Sequence, residues 1–130
     1  MRLPRLRRRW IVIGVVLVVL FATYRALDRP SWIYYYRVGH DDRTLVVGMS
    51  EGPNAWTRVT NVSETPTTVT ITVSSILIQL GPGAAYAVPV ERAVKLTDPI
   101  GSRTVVDGSS GQPVRRTRCM PPSYFAPGCT

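Results

Sequence analysis

The chain has one histidine, His40, and it is followed at once by Asp41 and Asp42 in the run "GHDDR". An imidazole beside two carboxylates is the nucleus of a metal or small-ligand site. Zinc asks for three or four protein ligands, however, and Cys119 and Cys129 are spaced from His40 in no metal-binding pattern. The same five residues also make an exposed turn, so His40, Asp41 and Asp42 stand as weak metal candidates only. Nucleophilic catalysis would need a serine or cysteine brought to His40 and an orienting acid, and the G-x-S-x-G spacing at Gly48 to Gly52 leads into the turn "EGPN" and not into the helix that a nucleophile elbow requires. Two carboxylates for glycoside hydrolysis can be picked from the eight present, a choice that carries no information. The "GPG" at Gly81 to Gly83 lacks the lysine of a phosphate loop, and Pro82 removes a backbone donor. No catalytic residue and no cofactor is therefore assigned, and the chain reads as a non-enzyme.

The two cysteines have a simpler use. Cys119 and Cys129 bracket "MPPSYFAPG" near the C-terminus, and in an exported domain they predict one disulfide. Closing that loop is worth about 2.5 to 3 kcal/mol in the chain-entropy account. The bridge would staple a fraying tail or display Tyr124 and Phe125 to a partner.

Export is indicated by the opposite end of the chain. Arg5, Arg7, Arg8 and Arg9 precede an uncharged run from Trp10 to Tyr24 that holds ten Ile, Val, Leu or Phe residues. Those residues contribute roughly −3 to −6 kcal/mol toward insertion. The run itself is short for a bilayer, but Arg25 can snorkel and extend the helix through Ala26 and Leu27. Trp10 and Tyr24 then mark the two interfaces, and the arginine cluster sets the N-terminus in the cytoplasm and the C-terminus outside. A cleaved signal has the same basic and apolar regions. "FATYRALDRP" shows no small-x-small cleavage site, which favours an uncleaved anchor.

The formal charge of +8 follows largely from this segment. From Asp28 onward ten Lys and Arg face eight Asp and Glu, a balance of +2, too little for a nucleic-acid footprint. Past Pro30, which is expected to end the helix, no stretch has 3.6-residue apolar spacing. Short β-branched runs alternate with turn chemistry at "GHDDR", "EGPN", "ETP", "GPG", "DPIGS" and "DGSSG". They predict strands at Ile33 to Val38, Thr44 to Met49, Trp56 to Ser63, Thr67 to Leu80, Ala84 to Leu96 and Arg103 to Val106, with a last one at Val114. In "TVTITV" Val69, Ile71 and Val73 take a dry face and Thr68, Thr70 and Thr72 a wet one. After Ser74 and Ser75 the apolar set becomes Ile76, Ile78 and Leu80, which suggests a bulge or a corner between sheets. Tyr86, Val88 and Val90 repeat the alternation in the expected partner strand. The aromatic run from Trp32 to Tyr36 either rests at the headgroup level or begins the sandwich. Arg115 to Arg118 read as a solvated charge run, with anionic lipid or cell-wall polymer as a further contact, and Asn61 stands in an N-x-S sequon.

"WTRVTNVSETPTTVTITV" followed by "DPIGSRTVVDGSSGQPV" resembles a group of small actinobacterial single-span membrane proteins with an extracytoplasmic β-sandwich of unassigned function. The likeness covers about Thr44 to Arg116. It implies a fold and an address, and no activity. The arginine-rich, lysine-poor composition suits a GC-rich bacterial genome.

The expected architecture is all-β: a small antiparallel sandwich, Ig-like in size, preceded by one transmembrane helix. Residues 1–9 form a basic cytoplasmic tail, 10–27 the anchor, 28–43 an aromatic juxtamembrane segment with a candidate first strand, 44–116 the sandwich and 117–130 the disulfide-closed tail. The expected role is a membrane-tethered module that binds or scaffolds another envelope protein, with membrane lipid and that protein as partners and no nucleic acid. A small-ligand or metal binder at His40, Asp41 and Asp42 is the first alternative, and an extracytoplasmic hydrolase the second.

Overall fold

The structure is a computed structural model that describes residues 5–78 and 87–118. Helix α1 runs Arg5–Leu27, and its segment Arg9–Leu27 is long and apolar enough to cross a membrane. At 1.5 Å per residue those 19 residues span about 28 Å, close to the thickness of a hydrocarbon core. Ile, Val, Leu and Phe side chains are exposed on every side of it, so the helix has no face suited to packing on the rest of the chain. The polar hydroxyl of Thr23 is satisfied internally, donating to the Val19 carbonyl at 2.8 Å. The Arg25 guanidinium turns back over the Phe21 ring, 5.4 Å from its centre.

The helix stops at Leu27, ahead of Pro30, and the chain passes without a linker into β1, Asp28–Pro30. Seven more strands follow: β2 Ile33–Val38, β3 Thr44–Glu51, β4 Ala55–Glu64, β5 Thr68–Leu77, β6 Val88–Lys95, β7 Thr104–Asp107 and β8 Arg115–Arg116. They form an all-β domain of two four-stranded sheets. In the first sheet β5 is central. The β4–β5 hairpin, closed at Thr65–Thr68, covers one edge of β5 along its whole length. On the other edge β1 and β7 lie end to end, β1 antiparallel to Ser74–Ile76 and β7 parallel to Thr68–Ile71. The second sheet has the order β6-β3-β2-β8, with β8 parallel to β2.

The core lies between the sheets. Ile33, Tyr36, Leu45, Val47, Met49 and Val94 from one sheet meet Val69, Ile71, Val73 and Val105 from the other. Alternation explains the choice: residues at every second position of β3 and β5 share the inner face, so Leu45, Val47 and Met49 line up against Val69, Ile71 and Val73. The outer face of β3 carries Gly48, over which the Tyr35 ring lies so closely that a Cβ would collide with it.

Two expectations about β5 are corrected here. Its partner is not the Val88–Val90 strand: β6 pairs with β3 in the opposite sheet, Val90 packs on the core and Val88 is exposed. Nor does β5 change phase or turn a corner. Ser74, Ser75 and Ile76 continue the same ladder, matched rung for rung to Arg58, Thr57 and Trp56. Ser75 takes the inner position because its hydroxyl meets that of fully buried Thr57 at 2.7 Å, which leaves Ile76 on the outer face with Trp56. The bulge lies instead in β4. Thr60 is the extra residue between Val59 and Asn61, and its hydroxyl donates to the Thr72 carbonyl at 3.1 Å. That inserted residue brings both Val59 and Val62 onto the core.

Candidate functional site

The end of the sandwich farthest from the helix is built from the β2–β3 turn, the β4–β5 turn and the loop from Leu96 to Arg103. "GHDDR" forms the first of these. The Gly39 amide donates to the Thr44 carbonyl at 2.6 Å, and Asp42 takes the left-handed conformation with φ 50°. Asp41 braces the turn: Oδ1 accepts the amides of Thr44 at 2.8 Å and Arg43 at 3.2 Å, and Oδ2 accepts the Thr44 hydroxyl at 2.9 Å. The Thr44 hydroxyl bond, seconded by the two amides, holds the Asp41 carboxyl below its usual range. His40 and Asp42 are exposed beside it. Three candidates adjacent in sequence are thus divided in space between one turn-bracing carboxylate and two solvated side chains. Among the described residues no group of three His, Cys, Asp or Glu side chains is placed to hold a metal ion.

A cleft of about 490 Å³ lies next to this turn, between Glu64, Thr65 and Pro66 on one side and Asp98 to Arg103 on the other. Glu64, the last residue of β4, reaches into the loop. Its Oε1 accepts the Thr97 amide at 2.8 Å, and its Oε2 accepts Arg103 Nη1 at 2.8 Å and the Asp98 amide at 3.4 Å. Arg103 in turn donates from Nη2 to the carbonyls of Asp98 and Pro99, at 2.6 and 2.8 Å, and from Nε to that of Ile100 at 3.4 Å. A planar guanidinium has the fixed fork of donors such a cluster of carbonyls requires. The Thr97 amide first, and the Arg103 guanidinium second, pull the Glu64 carboxyl down to about 2. Held there, Glu64 stays ionised through the neutral range, unlike the raised carboxyl that proton donation requires. The Thr65 hydroxyl is engaged within its own turn, donating to the Thr68 carbonyl at 3.1 Å and accepting the Thr68 amide at 2.9 Å, and Ser102 also lines the cleft.

Neither Glu64 nor Arg103 is singled out by its sequence context. "SETPT" announces only a turn, and the carboxylate acquires its partners because the hairpin end and a loop 33 to 39 residues further on meet. Two further clusters share this character. On the outer face of the second sheet the Tyr35 hydroxyl donates to Glu91 Oε1 at 2.8 Å, and Arg37 Nη2 pairs with Glu91 Oε2 at 2.6 Å. Between the sheets, Glu51 Oε2 accepts the Thr57 amide at 2.8 Å and Arg92 Nη2 at 3.2 Å. Both hold strands together. Asp107 closes the "DGSSG" turn in the same manner, accepting the Ser109 amide at 2.9 Å and the Ser110 hydroxyl at 3.0 Å.

At the helix end of the domain the Tyr24 hydroxyl accepts Arg58 Nη2 at 2.6 Å, and Arg58 lies 4.0 Å from Asp28. Arg9 and Trp10 are exposed at the other end of the helix. Arg115, Arg116 and Arg118 are exposed, as is Asn61. The cysteines 119 and 129 and the aromatic pair Tyr124 and Phe125 lie outside the described residues. No protein-family model, curated protein or solved structure matches the chain.

Proposed function

We propose that the chain is a membrane-tethered module that binds or scaffolds another envelope protein, without catalysis, its sandwich lying outside the cytoplasmic membrane. The observation that carries this reading is the direct passage from Leu27 at the end of α1 into Asp28 of β1, with the cleft at the opposite end of the domain. An anchor joined this way keeps the cleft at the membrane surface and raises its effective concentration toward anything else held there. The arginines before Trp10 orient the span with its N-terminus in the cytoplasm. At the cleft, paired charges and hydrogen-bonded backbone give a rigid polar rim of the kind that fixes the register of a protein partner.

The test is proximity labelling from residue 102 of the full-length chain, compared with residues 28–130 secreted free of the membrane and with a chain whose residues 1–23 are replaced by an unrelated span of the same orientation. The unrelated span is expected to preserve the labelled partner and secretion to lower its occupancy. His40→Ala is expected to leave labelling unchanged. Undiminished labelling by the secreted domain would overturn the tethered reading, and its loss in His40→Ala would move the site to the "GHDD" turn.

A further inference from the structure

The exposed large hydrophobic side chains outside the helix, among the described residues, are Trp32, Tyr34, Trp56, Ile78 and Val88. They come from separate segments of the chain, yet strand register collects them at one end. Trp56 shares a rung with Ile76 and, through it, with Asp28, the first residue after the helix. Ile78 lies two positions further toward the helix, its amide bonded to the Asn54 carbonyl at 2.7 Å. Val88 is opposite Glu51, and Glu51 and Ser50 meet the Thr57 amide and hydroxyl at 2.8 and 3.3 Å, so that the end of β3 stands level with the start of β4. Trp32 precedes Ile33, which pairs with Met49 in the same tier.

Nothing in the core accounts for this collection. Along the outer face of β5 the side chains are Thr68, Thr70 and Thr72 at the far end, and they change to Ile76 and then Ile78 where the helix joins. The far end shows no exposed large hydrophobic side chain among the described residues, and His40, Asp41, Asp42, Thr65 and Asp98 lie in its turns. An outer face that is wet at one end and apolar at the other fits a boundary between water and lipid. Indole rings prefer the headgroup layer, where an apolar ring and an N–H are both accommodated. Arg25 and Arg29 are exposed at the same junction and suit anionic headgroups.

We propose that this rim, Trp32, Trp56, Ile78 and Val88, is seated in the headgroup region of the outer leaflet, with exposures of 56, 49, 70 and 47% before lipid covers it. The proposal rests on the reading that α1 crosses the membrane, and it adds that the sandwich itself is a lipid-contacting body, continuous with the span and held upright by it.

The experiment uses the full chain in vesicles of phosphatidylcholine and phosphatidylglycerol. Three single-tryptophan forms keep Trp10, Trp32 or Trp56, with phenylalanine at the other two positions. Phosphatidylcholine brominated near the glycerol end of its acyl chains should extinguish Trp32 and Trp56 emission, as it does Trp10 emission, and iodide added outside the vesicles should have little effect on either. Quenching of Trp32 and Trp56 by iodide alone, with Trp10 still quenched by the brominated lipid, overturns the rim while leaving the span intact. Protection of the two indoles from both quenchers would seat the rim against protein, a second copy included, and overturns it as well. Failure of Trp10 to respond to the brominated lipid overturns the span and the rim together.

Discussion

Glu64 and Arg103 stand 39 residues apart in sequence and meet at 2.8 Å. The Glu64 carboxyl is lowered from 4.5 to about 2 in the fold, so its bonds contribute in full above pH 4.5 and are lost as the pH falls toward 2. Glu64→Gln is expected to cost about 1–2 kcal/mol at neutral pH, because a charged acceptor is removed from a partly shielded cluster. It should also flatten the decline in stability across that acid window. Thermal unfolding of the detergent-solubilised chain from pH 6 to 2 measures both effects, and equal slopes in the two proteins would count against the Glu64 assignment. A second residue-scale prediction concerns Gly48, whose missing side chain makes room for the Tyr35 ring. Gly48→Ala should destabilise by about 1–3 kcal/mol through overpacking. In a Tyr35→Ala background the same change should cost much less, and a double-mutant cycle in urea reads the coupling directly.

At the scale of elements the Thr60 bulge decides which face the second half of β4 presents. Because the extra residue has no rung on β5, deleting it leaves Val59, Asn61 and Val62 opposite Val73, Thr72 and Ile71 and both valines inside. Deletion of Thr60 is therefore expected to cost no more than about 1–2 kcal/mol, chiefly the Thr60 hydroxyl bond to the Thr72 carbonyl. Deletion of Ser63, in the regular part of the strand, turns either Glu64 outward or, where the bulge is drawn out to compensate, Val62, and should cost roughly 3 kcal/mol or more. Urea unfolding midpoints distinguish the two, and equal midpoints would mean that the bulge sets nothing. The same element shows what a sequence does and does not disclose. β2 matches its expected limits, Ile33–Val38, because a β-branched and aromatic run ends in a glycine-aspartate turn. β5 misleads after Val73, since alternation reports which residues are apolar and not which surface they face. The inward seat of Ser75 depends on the hydroxyl of Thr57, 18 residues earlier and on another strand. β1 has three residues and gains its partners only from β5, too little to leave a periodic trace.

For the molecule as a whole, the helix and the all-β class were legible, since both rest on long-range composition: an uninterrupted apolar run and a series of short runs divided by turn residues. The cleft was not, because Glu64, Thr97 and Arg103 are ordinary residues until three loops converge. A final prediction concerns the junction. Inserting about ten Gly and Ser residues between Leu27 and Asp28 leaves every strand intact but replaces a fixed joint by a coil whose ends wander roughly 5–6 Å times the square root of its length. Crosslinking from residue 102 to a membrane-held partner should then weaken and spread over several positions; an unchanged crosslink would show that the joint has no part in targeting. The reason is one of altitude. β4 has ten residues, so at 3.3 Å each the cleft stands about 30 Å along the strands from the rim. On the proposed tethered reading, a body that cannot swing on a leash would encounter only what passes at its own elevation, its search confined to a plane parallel to the bilayer. The missing linker would then make the sandwich a gauge, admitting a partner by how far that partner stands off the membrane before any side chain is compared.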